Sequence, residues 1–164
     1  MKILVVSDTH GETERLISLV RSVKGGIKAI IHAGDYEGDA AEISKQFPDM
    51  PVYAVCGNCG YGGIMPPLRM VELGGKRIFI THGHRYNVNC TMMNLTYTAL
   101  ENKADICIFG HTHIPLVEKH TDLVIVNPGS LSRPRGGSGA SYAVIDIDDK
   151  GGVAVKIVEY KEYK

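Results

Sequence analysis

The chain has 164 residues, 44% of them apolar and 22% charged, with eighteen basic side chains balancing eighteen acidic ones. That balance is typical of a globular protein and argues against duplex DNA or an anionic membrane as the main partner, because both select a basic face. No apolar run approaches the roughly 18 residues of a membrane span, and the opening MKILVVSDTH turns polar too soon for a signal peptide, so a cytoplasmic location is expected. Cys56, Cys59, Cys90 and Cys107 have no disulfide-framework spacing and are expected to be reduced thiols. At this length one core is the default, and residues 1–164 read as a single domain.

In chain order, KILVV at 2–6, AII at 29–31 and VYAV at 52–55 are strand candidates, rich in β-branched side chains. Between them the spacing predicts a helix over Thr13 to Val23, with Leu16, Leu19, Val20 and Val23 on one face. A weaker helix is predicted over Ala40 to Phe47, carrying Ile43 and Phe47. This alternation implies parallel strands with right-handed crossovers. RMVEL at 69–73 and RIFIT at 77–81 flank a Gly-Gly turn and predict a hairpin. A helix from about Cys90 to Asn102 and the apolar strand ICIF at 106–109 follow. PLVEK, LVIV, SYAVIDID and VAVKIVEY read as further strands, the last two joined by a turn over Asp149 to Gly152, and 133–141 reads as a loop. The expected fold class is α/β with mixed strands: two mixed β-sheets packed face to face and flanked by helices.

Five of these strands end in side chains that bind metals: Asp8 and His10, Asp35, Asn58, His82 and His84, and His111 and His113. In extended backbone residues i and i+2 point the same way, so each D-x-H or H-x-H pair is expected to present two ligands to one point. Open α/β sheets place their sites at the carboxyl ends of strands, where these residues fall. Carboxylate, imidazole and amide together suit a transition metal better than magnesium or calcium, which prefer all-oxygen shells. A single histidine at a strand end is commonly only a hydrogen-bonded surface residue; recurrence at five ends carries the inference. The donors outnumber the needs of one ion, and two ions sharing a carboxylate account for them.

These segments, in this order, resemble the calcineurin-like metallophosphoesterase superfamily, whose pattern runs D-x-H, G-D, G-N-[H/C], an H-G-H-like segment and G-H-x-H. They stand here as Asp8-Thr9-His10, Gly34-Asp35, Gly57-Asn58-Cys59, His82-Gly83-His84 and Gly110-His111-Thr112-His113. The small size, Cys59 after Asn58, and NPGSLSRPR at 127–135 look most like the compact single-domain phosphodiesterases of bacteria and archaea. The resemblance implies one metal held by Asp8, His10, Asp35 and His113. It implies a second held by Asp35, Asn58, His82 and His111, with Asp35 bridging. The implied activity is phosphoester hydrolysis, favouring diesters, by two divalent ions about 3.5–4 Å apart with a bridging hydroxide as nucleophile. Manganese is the first expectation, with nickel, cobalt, iron or zinc as alternatives.

On the same resemblance, Asn58 is the ligand in CGNC. A redox or structural-zinc C-x-x-C fits less well, since a zinc site wants a second such pair and a thioredoxin-type motif opens a helix, where glycines follow here. Cys56 is expected in the core. Cys59 stands where many relatives carry a histidine that protonates the leaving oxygen or touches the phosphate. A thiol of pKa about 8.5 is a poorer acid than imidazole at about 6.5, so slower cleavage of esters with poor leaving groups is expected. Gly60 replaces an acidic residue frequent in the small branch. His84 is expected to touch the phosphate or to orient a neighbour, and with Asn58 and Cys59 makes up the catalytic candidates. His32 is expected to pack or to support a ligand, and His120 to lie on the surface. Arg133 and Arg135 read as solvated charges or a phosphate clamp, and Tyr61, Pro66 and Pro67 as lid candidates. The expected partner is a small phosphodiester; nucleic acid and membrane are not indicated, and a homo-oligomer is left open. The rivals are a retromer-subunit-like interaction scaffold on the same fold, and a phosphomonoesterase or nucleotide phosphatase.

Overall fold

The structure is a computed structural model and describes residues 1–59 and 65–161. β1 (Lys2–Val6), β2 (Ala29–His32) and β3 (Val52–Ala54) pair in parallel and are joined by α1 (Thr13–Val23) and α2 (Glu37–Gln46). A second sheet is centred on the parallel strands β5 (Lys76–Thr81), β6 (Ile106–Ile108) and β8 (Val124–Asn127). Its antiparallel edges are β4 (Leu68–Leu73) and β7 (Leu116–Lys119), and α3 (Met93–Glu101) precedes β6. The hairpin of β9 (Ser141–Ile147) and β10 (Val153–Glu159) returns to the first sheet, antiparallel to β1. The orders are β10-β9-β1-β2-β3 and β4-β5-β6-β8-β7. Each sheet therefore has three parallel strands at its working end, as the two predicted mixed sheets require.

Strand alternation sorts the core into three layers. Ile3, Val5, Ile31, Ile78, Ile80, Ile106, Ile108 and Ile145 fill the space between the sheets. Leu4, Val6 and Ile30 point outward onto Leu16, Leu19 and Val20 of α1 and Ile43 of α2. Phe79, Cys107 and Ile125 meet Leu95 and Ala99 of α3. The central strands are buried on both faces, which is why they read as continuous apolar runs. Each such Leu or Ile contributes about 1.5–3 kcal/mol.

Two helix boundaries differ from the sequence expectation. α2 starts at Glu37 rather than Ala40, because Glu37 and Asp39 favour the positive amino end of a helix and Gly38 is exposed with nothing within 4 Å of it. α3 starts at Met93 rather than Cys90: a 3-10 turn over His84–Tyr86 ends in the left-handed Asn87, and the Met93 N–H is capped by Thr91 Oγ1 at 3.2 Å. His120 lies just beyond β7, exposed as expected. Cys56 is only half-buried, its N–H donating to Pro66 O at 2.9 Å, and Cys107 is the cysteine in the core.

His32 closes β2 wholly inside the protein. The Gly34 N–H donates to its Nδ1 at 3.2 Å, so the neutral ring carries its proton on Nε2 and donates to Thr9 Oγ1 at 3.0 Å. One imidazole thus ties the turn after β1 to the turn after β2. Burial pushes its pKa down to about 4, since a charged ring has no water and its second proton would meet the Gly34 N–H. The depressed value means that the unfolded chain binds more protons between about pH 4 and 6.5, so this residue costs nothing above that window and destabilises progressively as the pH falls through it. Going from pH 7 to pH 5 it removes about 2 kcal/mol. Urea unfolding of His32→Gln is expected to have a flatter acid limb than the wild type by that amount; parallel limbs would exclude His32 as the source.

Candidate metal centre

The candidate residues lie at the carboxyl ends of five strands, along the seam between the sheets. Asp8 and His10 follow β1, Asp35 follows β2, Asn58 follows β3, His82 follows β5, and His111 and His113 follow β6. Carboxylates and amide come from one sheet and three of the imidazoles from the other. Close approach makes this possible: a Cβ on Gly110 would stand 1.9 Å from Ser7 Oγ, and one on Gly34 would stand 2.9 Å from His82 Nδ1.

The ligand pairs are not extended. Asp8, His10, Asp35, His111 and His113 all have positive φ, at 54, 47, 123, 67 and 61°. Left-handed backbone is costly for residues with a Cβ, on the order of 1–3 kcal/mol each, and in folded proteins such strain concentrates at functional sites. The turns also separate the H-x-H pair. His113 points to Asp8 and His10, whereas His111 points to Asn58, so the expectation that i and i+2 share one target fails for this pair.

Asp8, His10, Asp35 and His113 each offer one ligand atom, all within 4.8 Å of one another. His113 spends its Nδ1–H on Arg133 O at 2.6 Å, leaving Nε2 bare and 3.3 Å from Asp8 Oδ1. That carboxylate oxygen is buried and accepts no hydrogen bond. His10 Nε2 is 3.2 Å from His113 Nε2, and its Nδ1 is 3.3 Å from Asp35 Oδ2. The neutral His10 ring has one proton and can serve only one of these contacts. Asp8 Oδ1 still faces a bare nitrogen in a buried place, an arrangement that favours a positive charge between them. In proton terms, the Asp8 carboxylate holds the pKa of His113 above the usual imidazole range against the opposing effect of burial. A divalent cation meets the same demand.

A second convergence adjoins the first. His82 donates Nδ1–H to Ala33 O at 2.8 Å, and its bare Nε2 lies 3.0 Å from Asn58 Oδ1 and 3.6 Å from Asp35 Oδ1. His111 Nδ1 reaches the same Asn58 oxygen at 3.0 Å. Asp35 therefore has one oxygen toward each group. Burial pushes its pKa up, but the Cys59 thiol and N–H, His82 and His10 outweigh that and hold the carboxyl below its ordinary range. The Cys59 and Asn58 N–H groups donate to Oδ1 at 2.9 and 3.2 Å. Burial lowers the pKa of His10, His111 and His84, keeping them in the neutral form a ligand needs.

The exposed Cys59 thiol faces the Asp35 carboxylate, which together with partial burial raises its pKa. His84 Nδ1 is buried without a partner, and its ring centroid is 5.4 Å from that of His82. The expected lid residue Tyr61 and the substitution at Gly60 lie outside the described residues. The NPGS segment proved to support the site. Ser130 and Ser132 hydroxyls donate to Asp8 O at 2.8 and 3.0 Å, and Asn127 Nδ2 donates to Gly110 O at 2.9 Å. Asp39 accepts from Gly11 N at 2.9 Å and anchors the turn that carries His10. The sequence signal for the first group was available: β8 is a sixth strand that runs straight into polar residues.

Residues 1–150 match the calcineurin-like phosphoesterase superfamily domain. The chain is 33% identical to the probable metallophosphoesterase YsnB of Bacillus subtilis over 150 residues, covering 91% of this chain and 86% of that protein. It is 34% identical to the phosphodiesterase YfcE of Escherichia coli K12, covering 90% and 89%. Among solved structures, a predicted phosphoesterase from Streptococcus pneumoniae superposes with a TM-score of 0.84 at 31% identity, covering 96% of this chain and 88% of that one. Vps29 of Entamoeba histolytica, solved with zinc, has the same fold at a TM-score of 0.74 and 21% identity, covering 96% and 98%. A metal-dependent phosphoesterase is the function these likenesses and the acidic, imidazole-rich centre support, and the chain belongs to the calcineurin-like phosphoesterase superfamily.

Proposed function

We propose that residues 1–164 act as one catalytic unit, a phosphodiesterase working with two divalent cations. The observation that carries the reading is the unpartnered Asp8 Oδ1 facing the bare His113 Nε2, beside a second set of acceptors around Asn58 Oδ1. Asp8, His10, Asp35 and His113 would hold the first cation and Asp35, Asn58, His82 and His111 the second. Manganese is the favoured ion, and nickel, cobalt, iron and zinc suit the same donors. When bound, such a pair lowers the pKa of a water shared between the ions to give hydroxide, and draws charge from the phosphoryl oxygens. The diester preference takes its support from the name of the E. coli relative.

The chain's own residues supply the rest. The backbone carbonyls of Ala33 and Arg133 fix the rings of His82 and His113, and Asp35 is pinned by two N–H groups of the β3 loop. His84, neutral and with a free buried nitrogen, is placed to meet a phosphoryl oxygen beside His82. Cys59 sits where a leaving group needs a proton, yet its raised pKa makes the thiol a weak donor. Esters that leave without help are thus the favoured substrates.

Metal-stripped protein is expected to hydrolyse bis-p-nitrophenyl phosphate only after Mn²⁺ is added. Asp35→Asn, which removes a charge shared by both ligand sets, should lower that activity by at least about 100-fold, more than the loss of an outer-shell partner usually costs. Turnover that survives in Asp35→Asn would refute the shared-carboxylate reading, and metal binding without turnover on mono- or diesters would move the function to a binding scaffold. Cys59→His should raise the rate on an alkyl phosphodiester by up to about 100-fold, the lower end of what a positioned general acid supplies, while leaving the p-nitrophenyl diester nearly unchanged. Equal effects on both esters would show that proton donation is not the limit.

A further inference from the structure

Three histidines of the centre have a second ring nitrogen whose partner decides which nitrogen is bare. For His82 and His113 that partner is a backbone carbonyl, which accepts only, so the ligand nitrogen is always Nε2. His111 is different. Its Nε2 lies 3.0 Å from Asn89 Nδ2, and its Nδ1 lies 3.0 Å from Asn58 Oδ1. With the Asn89 amide nitrogen donating to Nε2, the ring proton sits on Nδ1 and is given to Asn58 Oδ1. That arrangement is self-consistent, and it occupies the nitrogen that would bind a cation.

The position of Asn89 is set by its neighbours. Asn87 turns the chain in left-handed backbone at φ 56°, and Val88 is buried against Phe109, with the bare face of Gly83 close beneath it. Asn89 is carried across to the edge of the centre, exposed except for its contact with His111. An asparagine amide turned by half a rotation about its last bond presents oxygen in place of nitrogen. It can therefore serve either tautomer of the ring, which neither a carboxylate nor an ammonium can do.

We propose that Asn89 is a positioning residue that selects the tautomer of His111: by turning its amide to accept from Nε2–H it frees Nδ1 for the second cation. The inference rests on the two-cation reading above. It makes the second position the adjustable one, since one of its two rings, His111, hangs on a side chain whereas His82 and His113 are fixed by the main chain.

The test combines long-range proton–nitrogen NMR of the histidine rings with calorimetric titration of Zn²⁺ into metal-free full-length protein. Wild-type His111 is expected as the Nδ1–H tautomer without metal and as Nε2–H once zinc is bound. Asn89→Asp, which can only accept, should show Nε2–H from the start. Asn89→Leu should weaken the second zinc step by roughly 10- to 100-fold and leave the first unchanged. A second step as tight in Asn89→Leu as in wild type, or an Nδ1–H tautomer persisting in metal-free Asn89→Asp, overturns the proposal. A single binding step in wild type that perturbs only His10 and His113 overturns the two-cation reading instead, and the metal-free tautomer in Asn89→Asp still decides the role of Asn89.

Discussion

Everything at the centre depends on how closely the carboxyl ends of two separate sheets can be brought together. β1 and β2 end against the turns that follow β5 and β6, and at Gly34 and Gly110 there is no room for a single methyl group between one segment and the next. This contact brings the carboxylates of one sheet within reach of the imidazoles of the other. The chain turns sharply after β1, β2 and β6, where five residues of the candidate centre adopt positive φ. The apolar layer of Ile3, Val5, Ile31, Ile78, Ile80 and Ile108 lies directly behind and holds the sheets at that separation.

Two kinds of unfavourable local structure are concentrated there, strained φ angles and acceptors turned toward acceptors. Neither belongs in a chain selected for stability alone, and their coincidence in one place is what distinguishes a working centre from a polar end of a core. The backbone is recruited to hold the arrangement. Ala33 and Arg133 carbonyls orient imidazoles, and the Asp8 carbonyl is held in turn by the hydroxyls of Ser130 and Ser132. Orientation by main chain is insensitive to side-chain substitution, which leaves few places where a change of sequence can retune the centre.

Much of this was legible beforehand. The continuous runs KILVV and ICIF announced strands buried on both faces, and the side chains at their ends are the ones the fold brings together, because apolar runs and chemically distinctive side chains are visible one residue at a time. Turn geometry is not. Asp8, His10, His111 and His113 carry no mark in the sequence that they would take positive φ, so extended pairs were expected where the structure has left-handed turns that send His111 and His113 to different targets. Contacts between remote residues were equally hidden. Asn89 near His111, His32 between Thr9 and Gly34, and Asp39 beneath Gly11 depend on the packed fold and on no periodicity. The early start of α2 was hidden because its first three residues, Glu37, Gly38 and Asp39, carry no apolar side chain and add nothing to the periodicity.

Among the described residues no strand of one sheet pairs with a strand of the other; what joins the layers is apolar contact along their length and polar contact at one end. Ions seated at that end, each gripped from both sides, would behave as rivets through two plates. Relative sliding of the plates, otherwise opposed by non-directional packing and a few hydrogen bonds at the same end, would then require a ligand bond to break as well. Loading would therefore stiffen the whole molecule far from the seam, and the slowest hydrogen exchange in β9 and β10, which carry no ligand, would follow the lifetime of ions that they never touch.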